Sequence, residues 1–291
     1  MTSDKLILGT VQFGLDYGIN NGLGKPSDEE IKGILDFAFE NGIDFLDTAE
    51  AYGDSQERIG QYHSKSENKF KIITKYSSAT DSLSSDIRIR INENMAKLKV
   101  DNLYSYMFHS FNDFKSHFHE FRDELISLKN DKLIEKLGVS VYTNEELEEV
   151  LEHEEIDLIQ IPYNLFDNNN LRGEVLSKAK KNKIEIHTRS AFLQGLFFTG
   201  KDNLRENLQP LKAPLDLVET LSEQNNISIS DLALHYACSN QLINKVLIGV
   251  DSLNQLKENV NSVRKEIDQN VFKEINKIEI GAKELLNPSN W

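Results

Sequence analysis

The feature that most constrains this chain is its alternation. Eight short apolar runs recur along it: LILGT, IDFLDTA, FKIITKY, LYSYMFHS, KLGVSVY, IDLIQIPYN, IEIHTRSAF and KVLIGV. Longer segments with helical periodicity lie between them. Strands that are apolar on both faces belong in a parallel sheet covered by helices. Eight such strand–helix units close into a barrel. No Gly/Ser/Pro-rich linker or low-complexity segment divides the 291 residues, so one (β/α)8 barrel of the TIM type, spanning 1–291, is expected. The units repeat at roughly 30 residues without clear self-similarity, which argues against a solenoid.

Local signals mark the helix ends. Ser27 with Glu30 predicts a capping box at the start of PSDEEIKGILDFAFENG, and Gly42 predicts its stop. Thr143 and Glu146 predict the same cap for TNEELEEVLEH. A polar stretch, Gly200 to Pro210, precedes the helix PLDLVETLSEQN. An extra helix over about Asp268 to Glu284 is expected outside the eight units.

Composition narrows the partners. A formal net charge of -14 disfavours nucleic acid, because a phosphate binder needs a basic face. Cys238 is the only cysteine, so no internal disulfide forms and a reducing compartment is expected. The N-terminus MTSDKLILGT lacks a basic region followed by a long apolar one. No apolar run approaches the roughly 18 residues a membrane span needs. A soluble, cytoplasmic protein with no membrane partner is expected.

The chemistry lies at strand ends. Asp47 closes the second strand, Tyr52 follows in the loop, Lys75 stands near the end of the third, and His109 ends the fourth. In a barrel of this type the reacting groups gather at the carboxyl ends of the strands. Singly, each residue has an ordinary explanation: a capped turn, a loop aromatic, a solvated strand end, a satisfied core histidine. Their convergence argues for an acid–base set. A free tyrosine has a pKa of about 10. The Lys75 ammonium is expected to favour the phenolate, with Asp47 holding Lys75 in place and charged. His109 orients a substrate oxygen or shares the proton. Tyr52 then protonates a carbonyl oxygen as hydride reaches its carbon. No G-x-G-x-x-G follows a strand, which leaves a Rossmann site unsupported. His117 and His119 would face different sides of a helix, so no metal site is expected.

The order Asp47, Tyr52, Lys75, His109 resembles the tetrad of the aldo-keto reductases, and the resemblance covers nearly the whole chain. It implies an oxidoreductase that reduces a small aldehyde or ketone with NADP(H) or NAD(H). LILGT is similar to the family's first strand, with Thr10 near the nicotinamide. KLGVSVY resembles the strand whose serine, here Ser140, meets the carboxamide; Val141 stands where asparagine is common. LIQIPYN supplies Gln160 to the same carboxamide. HTRSAFLQGL resembles the strand whose aromatic residue stacks on the nicotinamide. Here Arg189 has that place, and a guanidinium plane also stacks. Ala191 has the place of a proline. Ser190, Phe192, Leu193 and Gly195 would follow the pyrophosphate. GVDSLNQLKEN resembles the adenosine-binding segment, matching at Gly249, Gln255, Glu258 and Asn259. Many members carry a basic residue at the position of Gly249 or Gln255, where it pairs with the 2′-phosphate of NADPH. Neither is basic here, and Asp251 could accept from a ribose hydroxyl, with Lys201 and Arg205 as candidate phosphate partners.

Tyr17, Tyr76, Phe111, Asn164 and Trp291 are the expected pocket wall. The loop LDYGINNGLGKPS is similar in style to bacterial reductases acting on sugar-derived carbonyls. Two other readings stay open. One is a non-catalytic cofactor-binding regulatory module, like the potassium-channel beta subunits that share the fold. The other is a lyase using Lys75 as a Schiff base, in which the adenosine-like segment has no role.

Overall fold

Each apolar run forms a strand in the computed structural model, which describes residues 2–18, 24–80, 85–199 and 204–291. The strands are β1 (Leu6–Gly9), β2 (Phe45–Asp47), β3 (Lys71–Tyr76), β4 (Leu103–Phe108), β5 (Ile134–Ser140), β6 (Leu158–Pro162), β7 (Glu185–Arg189) and β8 (Lys245–Gly249). They pair in chain order, all parallel, and β8 pairs back onto β1 to close the barrel. The helices are α1 (Val11–Gly14), α2 (Asp28–Glu40), α3 (Ser55–Lys65), α4 (Ile87–Leu98), α5 (Phe111–Asn130) and α6 (Asn144–Val150). They continue with α7 (Asn169–Lys181), α8 (Lys212–Asn225), α9 (Ile229–Ser239), α10 (Leu253–Arg264) and α11 (Val271–Ile275). This is a single-domain (β/α)8 barrel.

Side chains alternate along each strand, so the two faces part into two cores. Leu46, Ile72, Val139, Ile159 and Ile186 pack outward beneath the helices. Ile7, Phe45, Ile73, Met107 and Leu158 form a separate cluster inside the barrel. With Phe45 inward and Leu46 outward, Asp47 must face inward at the carboxyl end. Lys75 follows Ile73 by two residues and faces inward too. Register sets the polar residues level: Gly9 lies opposite both Asp47 and Gly249, and Ser140 lies opposite Gln160. At the other end, Glu185 accepts from Tyr104 at 2.8 Å and pairs with Lys136 and His187.

The caps are partly as expected. Thr143 and Glu146 form the full reciprocal box. Ser27 accepts from the Glu30 backbone at 3.1 Å, but the Glu30 carboxylate instead accepts from Leu253 N at 2.8 Å. That bond ties α2 to the start of α10. Sequence reasoning missed α9, because Leu232, Ala233, Leu234, Tyr236 and Ala237 are all buried and no polar face gives a helical period. The expected helix over Asp268 to Glu284 shortens to α11, followed by 3-10 turns at Lys283–Leu286 and Pro288–Asn290. Beyond Ile275, Ile278 and Ile280 are buried two residues apart, a spacing one helix face cannot serve.

Candidate active site

The carboxyl end of β2 and β3 holds a buried ion pair. Lys75 and Asp47 bond directly, with side chains only 1% and 3% exposed. Lys75 Nζ also donates to the Thr48 carbonyl at 3.0 Å. Gln160 Nε2 donates to the other Asp47 oxygen at 2.8 Å. The Thr10 hydroxyl donates to the Asp47 carbonyl at 2.9 Å. Burial favours loss of the Lys75 proton and lowers its pKa, while the Asp47 charge opposes that shift.

Tyr52 sits over this pair. Its ring centroid is 5.2 Å from Lys75 Nζ and 5.4 Å from the His109 ring, which meets it edge to face at 77°. The loop that carries it is anchored from below by Glu50. That carboxylate pairs with Arg90 and accepts from Tyr106 and Asn94, each at 2.7 Å, and from Ser77 N at 3.1 Å. From above, the loop rests against α1. A Cβ on Gly14 would lie 1.7 Å from the Tyr52 carbonyl oxygen, so only glycine allows this approach. Gly14→Ala should therefore displace Tyr52 and cost about 1–3 kcal/mol, the usual penalty of overpacking. Denaturant unfolding checks this; a variant as stable as the parent, with its turnover intact, would contradict it.

The electrostatics differ from the expectation that Lys75 lowers the Tyr52 pKa. Burial and then the Asp47 charge raise it, and Arg189 opposes them only in part. Lys75 is tied to Asp47, and that pair is close to neutral, so desolvation decides. The phenol stays protonated at neutral pH, as a proton donor requires. Burial, then Lys75 and Arg189, push His109 down to about 3, so its imidazole is neutral.

These groups open into a cavity of about 670 Å³. Thr10, Tyr52, His109, Ser140 and Gln160 line it from β1 to β6. Arg189, Ser190, Phe192 and Gly195 line it from β7 and the loop beyond. Gly249, Asp251, Gln255, Glu258 and Asn259 line it from β8 and α10. The β7 loop holds left-handed backbone at Ser190, Leu193, Gln194 and Gly195, with φ of 61, 46, 52 and 91°. Non-glycine residues in that region store strain, and such strain concentrates at functional sites.

Several expected residues lie elsewhere. Asp47 and Lys75 are beneath the cavity rather than on its wall. Leu193 is fully buried in the outer core, so its side chain does not reach the cavity. Tyr76 packs against Phe108 and Phe121, and Phe111 packs beside Phe114. Asn164 is spent on Asp167, Phe166 and the Ser190 carbonyl. Trp291 donates to the Leu285 carbonyl at 2.9 Å, and Pro288 is the tail residue that reaches the cavity. Arg205 is exposed at the start of a 3-10 turn and does not line the cavity; Lys201 lies outside the described residues. Of the expected wall, Tyr17 alone is there. Gln12, Leu15, Tyr142, Gln194, Phe198 and Leu247 also line the cavity, and sequence reasoning did not select them. Position alone could have selected Gln12 and Tyr142, which lie just beyond the carboxyl ends of β1 and β5.

The aldo/keto reductase family model matches residues 5–280. The chain belongs to this family. Family membership makes it, in general class, a carbonyl-reducing oxidoreductase. An uncharacterized oxidoreductase of Bacillus subtilis strain 168, YqkF, is 22% identical over an alignment of 249 residues that covers 78% of this chain and 80% of that protein. The crystal structure of PA4992, a putative aldo-keto reductase from Pseudomonas aeruginosa, superposes with a TM-score of 0.66 at 23% identity, covering 89% of this chain and 88% of its own. The holo form of AKR11C1, an aldo-keto reductase from Bacillus halodurans, gives 0.74 at 16% identity, covering 96% and 94%. At these identities the structural matches speak for the barrel alone. Among the described residues of this aldo/keto reductase, no helix is long and apolar enough to cross a membrane.

Proposed function

We propose that this aldo/keto reductase reduces a small aldehyde or ketone with NADPH or NADH, Tyr52 donating the proton. The observation that carries the reading is one continuous cavity. It joins Tyr52 and His109 to the Ser140–Gln160–Arg189 group and to the start of α10. Two buried acceptors in it, Gln12 Oε1 and Asp251 Oδ1, have no partner among the described residues. Buried polar atoms are rarely left unpaired, so these two fit hydroxyl donors such as those of a nucleoside.

When bound, a nicotinamide dinucleotide would supply the hydride for the carbonyl carbon. Ser140 and Gln160 would hold its carboxamide; Gln160 gives its N–H to Asp47 and keeps its carbonyl oxygen free to accept. Gln255, Glu258 and Asn259 would hold the adenosine end. His109, neutral with one N–H, orients the carbonyl oxygen. Tyr52, held protonated, gives that oxygen its proton and is left as a phenolate whose charge Arg189 partly offsets. The polar mouth supports a polar, sugar-derived carbonyl as substrate. There Gln194 donates to the Tyr17 hydroxyl at 2.6 Å, and Tyr142 adds another hydroxyl.

Asp251 bears on cofactor choice. Its backbone N–H donates to Gln255 Oε1 at 2.8 Å, which couples the two residues. A 2′-phosphate brought near this carboxylate in a partly solvated site meets about 1 kcal/mol of repulsion, close to fivefold in affinity. Asp251→Ser should raise NADPH affinity about fivefold and change NADH affinity little. Titrating the purified protein with each reduced dinucleotide by nicotinamide fluorescence tests both levels of the reading. Binding of both, with weak discrimination, is expected. A thousandfold preference for NADPH would overturn the reading of Asp251, and binding of neither would overturn the proposed function.

A further inference from the structure

Arg189 is the only ammonium or guanidinium among the described residues that line the cavity. Its guanidinium carbon lies 3.9 Å from the centroid of the Tyr142 ring, and Nη2 donates to the Val141 carbonyl at 3.2 Å. The group is therefore held over one aromatic face. No described carboxylate forms an ion pair with it. The buried carboxylates nearby already have cations of their own: Asp47 has Lys75, and Asp167 has Arg172. Arg189 thus places a positive charge with no described ion-pair partner at the cavity wall, where the carboxylates, Asp251 and Glu258, come from the segment after β8 and from α10. Its field reaches the neighbouring groups, helping to push His109 down and opposing the rise at Tyr52 and at Tyr17.

An aromatic ring at this place would attract a cation through its π face. A guanidinium does the reverse. We propose that Arg189 makes the site discriminate between the redox states of its nicotinamide cofactor, accepting the uncharged reduced ring and repelling the cationic oxidised one. This rests on the reading above, in which the nicotinamide lies against Arg189. Hydride donation to the carbonyl carbon would leave the ring a pyridinium with one positive charge. That charge would lie beside Arg189, which would weaken binding of the oxidised form. While bound, the reduced ring is a weaker hydride donor than in solution, so what the discrimination favours is release of the oxidised product. A like charge a few ångström away, screened by a partly solvated wall, is worth on the order of tenfold in relative affinity. For a two-electron couple that is a rise of about 30 mV in the potential of the bound cofactor.

The test measures dissociation constants of the oxidised and reduced dinucleotide on the wild type and on Arg189→Gln and Arg189→Lys. The wild type should favour the reduced form. Arg189→Gln should lower that preference about tenfold, mainly by tightening the oxidised form. Arg189→Lys, which keeps the charge, should retain most of it. The wild-type preference should also shrink as salt is raised from about 0.05 to 0.5 M, because the repulsion is partly solvent-screened. The salt series needs no variant to fold. A preference unchanged in Arg189→Gln, an equal loss of both forms, or a salt-independent ratio would overturn the proposal. Failure of both forms to bind the wild type would instead overturn the nicotinamide reading beneath it.

Discussion

Lys75→Met is expected to remove about 3–5 kcal/mol of stability, the cost of leaving one member of a buried ion pair alone. The Asp47 carboxylate would keep its bond from Gln160 but lose its cation in a site closed to water. Lys75 Nζ also holds the Thr48 carbonyl, at the base of the loop that carries Tyr52, so turnover should fall with stability. Urea unfolding measures the loss. The double variant Asp47→Asn with Lys75→Met removes both charges and should recover a large part of it, because an uncharged pair of similar volume is often neutral for folding. A single variant that loses less than about 1 kcal/mol would show that the pair is not desolvated as described.

Tyr52→Phe is expected to cut turnover by on the order of 100-fold or more while leaving dinucleotide affinity nearly intact. The change keeps the ring, and with it the contacts to Lys75 and His109, and removes only the proton donor. Because burial holds the phenol protonated and His109 neutral down to about pH 3, neither group should impose an acid limb on the rate near neutral pH. Steady-state rates with the best carbonyl substrate check this. An unchanged rate would remove Tyr52 from the mechanism, and a parallel loss of cofactor binding would mean that the ring matters for packing instead.

The barrel was legible because its strands are apolar on both faces and its helices on one. The helix that escaped, α9, is buried along most of its length and so carries no period. The residues at strand ends were legible for a topological reason: inward alternation and parallel register bring Asp47, Lys75, Ser140 and Gln160 to one end of the barrel whatever the loops do. The loops followed no such rule. Leu193 falls one residue after Phe192, yet a left-handed turn sends it into the core while Phe192 lines the cavity. Tyr76 and Asn164 sit near strand ends but are taken up by aromatic and turn contacts. The acidity of Tyr52 was misjudged because it depends on how completely Asp47 engages Lys75 and how deeply the phenol is buried, neither of which spacing reveals.

The most direct test of the account is a single-turnover experiment. The protein is loaded with NADPH or NADH, mixed with a polar aldehyde such as an aldose, and followed by loss of nicotinamide fluorescence and appearance of alcohol. The account predicts that both proceed together in the wild type and are slowed by on the order of 100-fold in Tyr52→Phe. A cofactor that binds tightly and stays reduced with every carbonyl offered would contradict it and mark the barrel as a cofactor-binding module that does not turn over.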